Sequence, residues 1–477
     1  MTCFTNNVTT PPPPPPPPHP PPHPPPPHPP VRIQDPDAPS TTTEILVLTH
    51  CGTSPPSLST VASDVSGWSI PSWPSLDPSL LVDPPNGLKS NPTDVKVTHV
   101  TVPVTSSMVT STTHIEFLDQ LNSRSTIKAY AGDCSYVSNQ CLLDRVGTGE
   151  EDELTCTGWG DPVLPGEGVD VTFAGQYYNF NEGDRAGWNN GVAVFTPDAW
   201  ENTLEGMGGM VGYFSLFYNK EETANTLYLE GVKPRMECVS SNAAAYAEIN
   251  LMGEPRPKVA WTSYYVYACT WGQPMDMDTG ENVCGGWSIP KCGEYHTTAV
   301  ANAGGDLMCA EDPYTNYLGD DFVAWATEAD VFIYADGGSW EATYGAMEDV
   351  LSSLPACKNQ RCYDVAKNGE NDWFESRYGN PDVLTEDLTS VISSGRQFNY
   401  QTKFLRNVAT EQRGTGRECR DPDETEVWES LADDCLYIDV IFDAGGEESG
   451  AGRCGGGKRG ALLAAAGAAA AGLAGGV

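Results

Sequence analysis

Basic side chains are scarce in this chain: 26 Lys and Arg stand against 64 Asp and Glu over 477 residues, a formal net charge of -38 at pH 7. A protein that coats nucleic acid needs a dense basic face, so this one, which repels a polyanion at range, is excluded from that class. Catalytic signatures are missing too. There is no GxSxG, no HExxH, no Walker loop and no GxGxxG. No cysteine pair has the CxxC spacing, which argues against a zinc ribbon or a thioredoxin-like centre. Nor does the N-terminus carry a basic segment followed by an apolar run, the pattern of a secretory signal. What is present suffices for a fold: 39% hydrophobic and 9% aromatic residues supply a sizeable core. At roughly 150 residues per domain the length implies two or three domains.

The 40 prolines and 48 glycines are unevenly spread. Residues 10–30 are almost pure proline punctuated by His19, His23 and His28. Fixed φ and missing N–H groups make this a polyproline II rod, read as a stiff spacer or coding artefact; a partner's proline-reading groove or a loosely held metal is the alternative. Residues 31–95 stay rich in Pro, Ser and Thr without a sustained period, so residues 1–95 are assigned as disordered head and linker. Twelve of the 15 cysteines fall between Cys134 and Cys435, an even number that implies up to six disulfides and an oxidising compartment; reduced buried thiols and metal ligands are the alternatives. The expected location is therefore extracellular or cell-surface through the secretory pathway, with the visible start truncated or incorrect. Residues 444–477 form a small-residue spacer, Lys458-Arg459 and an Ala/Gly-rich apolar tail, which fits a lipid-anchor signal near Ser449-Gly450-Ala451 better than a membrane span, with a non-functional extension as the alternative.

Between these ends short apolar runs alternate with helical periods, the mark of an α/β fold. Strands are expected at 97–104, 127–130, 169–173, 192–195, 258–265 and 331–334, and helices at 111–121, 295–303 and 320–329. The most regular stripe is Trp200, Leu204, Met207, Val211, Phe214 and Tyr218, with Glu221 to Tyr228 continuing it. Gly206, Gly208, Gly209 and Gly212 interrupt this stripe, each at a cost of about 1 kcal/mol relative to Ala, so the helix must be held by its neighbours. With strands on both sides of it, the economical arrangement is two α/β lobes with a ligand cleft, joined by a long backbone helix: residues 96–198, the linking helix region 199–250, and residues 251–443.

Five segments carry a resemblance: Ser111-Thr112-Thr113-His114-Ile115-Glu116-Phe117-Leu118 after the first strand; Phe214 through Asn225 at the end of the stripe; Pro257-Lys258-Val259-Ala260-Trp261; Ala301-Asn302-Ala303-Gly304-Gly305-Asp306; and Glu328-Ala329-Asp330-Val331-Phe332-Ile333-Tyr334. Each is short, but their order over about residues 98–410 resembles the substrate-binding proteins of ABC importers whose two lobes are joined by a rigid helix. Asn371 to Arg377 together with Phe404 to Val408 resembles a cysteine-rich algal and protist branch of that class. The resemblance implies a periplasmic-type solute-binding protein rather than an enzyme, with a ferric siderophore, haem, cobalamin or a divalent metal as transported ligand and a membrane permease or reductase as partner. It also implies a surface carboxylate on each lobe that docks on the permease, for which Glu116 and Glu311 or Glu328 are the counterparts here.

Ligands of open α/β sheets bind outside the carboxyl ends of the strands. That rule selects Tyr177, Tyr178 and Trp188 in the first lobe, and Tyr264, Tyr265, Tyr267 and Trp340 in the second. Flat aromatics with a polar edge suit a planar or catecholate-like chelate, whose negative charge Arg377 or Arg406 would neutralise; ordinary core or rim positions are the alternative for each aromatic. A bare metal would need converging imidazoles and a carboxylate, for which His114 and His296 with Asp306 or Asp336 are the candidates, against plain structural roles. Two other classes stand as alternatives: a surface hydrolase built on a carboxylate pair, and a structural wall or adhesion protein.

Overall fold

The computed structural model describes residues 31–34, 43–51, 96–150, 152–158, 169–175, 192–196, 201–251, 255–268, 283–310, 316–317, 319–336, 351–369, 371–393, 400–416 and 419. The proline rod, the apolar tail and the residues around Tyr177, Tyr178, Trp188 and Trp340 lie outside them.

Residues 31–95 are not all linker. Val31–Gln34 (β1) and Thr43–His50 (β2) are strands, and β2 pairs in parallel with Lys96–Val102 (β3) from Glu44↔Lys96 to His50↔Val102. Leu46, Val47 and Leu48 are buried there. The run Ile45-Leu46-Val47-Leu48 is a β signal that the surrounding Pro/Ser/Thr composition hides. The strand expected at 97–104 thus belongs to a three-stranded sheet of its own, β1-β2-β3, and not to the first lobe's main sheet.

That main sheet is wholly parallel: Ser107–Val109 (β4), Ile127–Tyr130 (β5), Thr155–Cys156 (β6), Val171–Ala174 (β7) and Val192–Phe195 (β8), in the order β6-β5-β4-β7-β8. Both faces of such a sheet are covered, which is why β4 and β7 are buried at every position. Helix α1 (Thr113–Gln120) follows β4, and α2 (Gln140–Leu143), capped by Asn139, follows β5.

The connection to the second lobe is a chain of helices rather than one rod. Helix α3 (Leu204–Ser215) is N-capped by Thr203, whose Oγ1 accepts from the Gly206 N–H at 3.0 Å. It buries Leu204, Met207, Val211 and Phe214, the expected stripe. Helix α4 (Glu221–Asn225), a π-helical stretch (Thr226–Val232) and α5 (Lys233–Leu251) complete the connection.

The second sheet takes the order β12-β10-β9-β13-β14-β15, with β11 also on β9. Its strands are Lys258–Ala268 (β9), Val283–Ser288 (β10), Asp306–Leu307 (β11), Asn316–Tyr317 (β12), Val331–Tyr334 (β13), Cys362–Asp364 (β14) and Arg406–Asn407 (β15). β11, β9, β13 and β14 are parallel neighbours, whereas β10 pairs antiparallel with β9, β12 with β10, and β15 with β14. Helices α6 (Tyr295–Asn302), α7 (Gly319–Ala326), α8 (Pro355–Lys358), α9 (Asp372–Ser376) and α10 (Pro381–Ile392) cover this lobe.

One apolar cluster runs from Val109 and Phe173 through Phe214 and Met236 to Trp261 and Ile333, so the helical connection shares a core with both lobes. Disulfides join Cys134 to Cys156, Cys141 to Cys419, Cys292 to Cys309 and Cys357 to Cys362, and Cys238 is also disulfide-bonded.

Candidate functional site

In the order β6-β5-β4-β7-β8 the chain direction of winding reverses between β4 and β7, and in the second lobe it reverses between β9 and β13. Such switch points open a crevice at the carboxyl ends of the strands. In the first lobe this place holds Thr110, His114, Gly175 and Thr196. The Thr110 Oγ1 accepts from the Gly175 N–H at 2.8 Å, and the His114 Nε2 and Thr196 Oγ1 share a hydrogen bond of 2.8 Å. His114 is fully buried, with its ring 5.5 Å from that of Phe214.

Segments that follow strand ends in the two lobes meet in a buried polar seam. The Asn380 amide donates to the Glu116 Oε1 at 2.6 Å, and the Gln120 amide to the Gly379 carbonyl at 2.9 Å. Beside them the Ser138 N–H donates to the Glu375 Oε2 at 2.7 Å, and the Ser138 hydroxyl to the Asp372 Oδ1 at 3.2 Å. Glu116 is 1% exposed, so it is not the surface carboxylate expected for docking on a permease. Its place on the inner face of α1, opposite α9 and Asn380, could not be read from helical period alone. Glu328 is exposed and paired with Lys258 at 2.7 Å, and Glu311 lies outside the described residues.

Arg377 occupies the most distinctive position. Its guanidinium lies 5.0 Å from the Trp373 ring centroid, 5.4 Å from that of Phe374 and 4.3 Å from that of Tyr378. It donates to the Trp373 carbonyl at 3.0 Å, and the Tyr295 and Tyr378 hydroxyls lie near enough to act on its charge. Trp373 in turn lies 5.9 Å from Trp261 of β9 and 5.8 Å from Phe404, and Trp261 lies 4.9 Å edge-on from His296. Burial lowers the pKa of His296, with Glu294 opposing and Arg377 adding to the fall, so the imidazole is neutral at pH 7. Burial pushes the Tyr295 hydroxyl up to about 12.

Arg124, Arg377 and Arg406 are the buried arginines among the described residues. Two have an aspartate. Arg124 pairs with Asp119 at 2.6 Å, and Arg406 pairs with Asp364, its Nε donating to Oδ1 at 2.9 Å. Arg377 has no carboxylate within ion-pair reach among the described residues, and its Nε is without a hydrogen-bond partner there. The cost of burying this cation is met by the Trp373 carbonyl, the surrounding rings and the nearby Tyr295 and Tyr378 hydroxyls, which together hold its pKa up, with no carboxylate among the described residues sharing in it.

The sequence-selected residues therefore part company. Arg377 and His296 come together with Trp261, Tyr295, Trp373 and Tyr378, which sequence reasoning had left out of the site; the aromatic run around Arg377 was the available signal. Arg406 has its charge committed to Asp364. Tyr264 lies on the other side of β9, its ring 5.2 Å from Trp287 in a separate cluster with Phe322 and Phe332. Tyr265 lies in β9 opposite Gly286, and Tyr267 opposite Cys284, with side chains outside the description. Tyr177, Tyr178, Trp188 and Trp340 are outside the described residues. Among the described residues no three His, Cys, Asp or Glu side chains converge, so His114 and His296 with Asp306 or Asp336 do not assemble a metal centre. His114 is committed to Thr196, and Asp336 accepts from the Tyr334 hydroxyl at 3.2 Å.

No family model and no curated protein matches the chain. Solved structures do. A periplasmic heme binding protein from Pseudomonas aeruginosa is 12% identical with a TM-score of 0.45, over 66% of this chain and 100% of that one. The periplasmic vitamin B12 binding protein of Vibrio cholerae is 10% identical with a TM-score of 0.38, over 61% and 99%. An ABC-type Fe3+-hydroxamate transport system from Saccharomonospora viridis is 11% identical with a TM-score of 0.41, over 61% and 94%. Likeness at this level carries no argument about ligand, which rests on the site's own geometry. Among the described residues no helix is long and apolar enough to cross a membrane.

Proposed function

We propose that the chain is a solute-binding protein that holds an anionic metal chelate between its lobes and hands it on without covalent chemistry. The observation that carries this reading is Arg377, a buried guanidinium with aromatic faces around it and no carboxylate among the described residues to neutralise it. An anionic ligand supplies the missing charge, and the Tyr295 and Tyr378 hydroxyls offer further hydrogen bonds, with Trp261 and Trp373 as the buried apolar backing of the site. A ferric catecholate-like chelate fits that chemistry best, with haem and cobalamin as the related ligands and a bare divalent metal least favoured. The disulfides support an extracellular or surface location, and a permease or reductase is the partner such a carrier requires.

The test is thermal unfolding of the full chain with a ferric catecholate chelate, haem, cobalamin and divalent cations in turn. A ligand at 100 times its dissociation constant stabilises by about 2.7 kcal/mol. The expected result is a rise in Tm with the anionic chelate that Arg377→Gln abolishes. No shift with any of them, together with turnover of a glycoside or ester, would overturn the reading in favour of a hydrolase.

A further inference from the structure

The lobes are joined at two edges. The helical connection leaves the first lobe after β8, one edge of the order β6-β5-β4-β7-β8. At the other edge, beyond β5 and β6, lies α2: Arg145 just after it donates to the Ile127 carbonyl of β5 at 2.7 Å, and Leu154 just before β6 donates to the Arg145 carbonyl at 3.2 Å. Here Cys141 of α2 is bonded to Cys419, 278 residues further on.

The strap from the second lobe that precedes Cys419 is described as far as residue 416. After β15 it runs along residues 366–369, where Lys367 pairs with Glu411 at 2.8 Å and the Gly414 N–H donates to the Ala366 carbonyl at 3.2 Å. The other three bridges with both partners described span 22, 17 and 5 residues and stay within a lobe. Cys141–Cys419 alone among these crosses from one lobe to the other. Beside it the lobes are joined by hydrogen bonds, the Asn371 amide to the Ser135 carbonyl at 2.6 Å and Ser138 to Glu375 and Asp372, in addition to the apolar cluster that both share. Water can replace hydrogen bonds of this kind at small net cost when surfaces part, whereas it cannot replace a covalent bond. Within the helical connection, the π-helical stretch Thr226–Val232 is the sort of irregularity at which helices flex.

We propose that the Cys141–Cys419 bridge is a redox latch that keeps the interlobe site shut until a dithiol opens it; this rests on the reading that a solute is held between the lobes. Cys419 is partly exposed and Cys141 is 3% exposed, so attack falls on the Cys419 sulfur. The thiolate of the dithiol forms a bond to Cys419 Sγ, the Cys141–Cys419 S–S bond breaks, and Cys141 leaves as a thiolate that takes up a proton. The second thiol of the reductant then displaces Cys419 as a thiol, and the reductant leaves as its own disulfide, two electrons having passed to the protein.

The experiment titrates the oxidised full chain with dithiothreitol. It follows each bridge by differential alkylation and mass spectrometry, the radius of gyration by small-angle scattering, and the release rate of a prebound ferric catecholate chelate. The expected result is that Cys141–Cys419 opens before Cys292–Cys309, that the radius of gyration rises as it opens, and that release speeds up about tenfold or more, the usual route of affinity change. Cys141→Ser with Cys419→Ser should be extended without reductant, while Cys292→Ser with Cys309→Ser should stay compact and respond like the parent. Should the first variant fail to fold, the parent's partial reduction decides alone. Opening of the bridge with unchanged radius, or its reduction last among the bridges, would overturn the latch. If the chelate never binds, the binding reading fails while the scattering still decides the latch.

Discussion

Arg377 and Arg406 are both buried, at 8% and 3% exposure, yet neutralising them should have opposite consequences. Arg406→Met leaves Asp364 buried without its cation and is expected to cost about 3–5 kcal/mol in urea unfolding of the free protein. Arg377→Met removes a charge that lacks a described carboxylate and leaves none orphaned, so unliganded stability should hold within about 1 kcal/mol or rise, while an anionic chelate binds weaker by about 2 kcal/mol or more. A loss of several kcal/mol in the unliganded Arg377→Met protein would show that the cation is structurally paired. Arg377 could be singled out in the sequence because Trp373, Phe374 and Tyr378 crowd around it. The commitment of Arg406 could not, because its aspartate lies 42 residues away on the neighbouring strand β14.

Asp387 gives a second expectation at this scale. Its carboxylate accepts from the Tyr400 hydroxyl at 2.5 Å and from the N–H groups of Lys403, Phe404 and Leu405, clasping the loop that places Phe404 on Trp373. Burial outweighs these donors and raises its pKa from 3.8 to about 6. Because the folded state takes up this proton more readily than the unfolded one, this group's contribution to stability grows as pH falls through about 6 and is complete below the unfolded value. Unfolding free energies from pH 7 to pH 4 should therefore show a rising component that Asp387→Asn removes, and no difference between the two pH profiles would refute it.

Among the elements, α3 separates two kinds of glycine. A Cβ on Gly208 would lie 2.8 Å from Pro381 and 3.0 Å from Tyr228, where α10 and the π-helical stretch press against the helix. A Cβ on Gly212 would meet nothing within 4 Å. Gly212→Ala should stabilise by about 0.5–1 kcal/mol through helix propensity, and Gly208→Ala should destabilise despite the same gain. Guanidinium titrations of both variants check this, and equal gains would mean that α3 does not seat so closely. The stripe on α3 and the strands at 127–130, 192–195 and 331–334 were plain in the sequence because periodicity reports a buried face directly. Strands β1 and β2 were not, because proline and serine on either side drowned a short apolar run. The seam-forming Asp372, Glu375 and Asn380 were equally silent, since their partners lie more than 200 residues away.

For the whole molecule the net charge of -38 acts at range. On the proposed reading an anionic chelate would approach Arg377 through a repulsive field, which salt screens over about 10 Å at 0.1 M. Its association rate should rise with ionic strength, whereas that of a cationic metal should fall, and stopped-flow measurements at several salt concentrations give the sign. The Cys141–Cys419 bridge also acts on the whole chain. In the loop-entropy picture a closure of 278 residues constrains the unfolded state by about 5.6 kcal/mol, against about 3 kcal/mol for the 17-residue closure at Cys292–Cys309.

The pairing of β2 with β3 has a bearing on how the protein can be shortened. A fragment begun at residue 95 would keep β3 but discard its whole parallel partner, leaving a seven-residue strand with bare N–H and C=O groups and uncovering Val100 and Val102. An unpaired apolar edge recruits other copies of itself, so such a fragment should form oligomers and precipitate, whereas one begun ahead of Val31 should remain monodisperse.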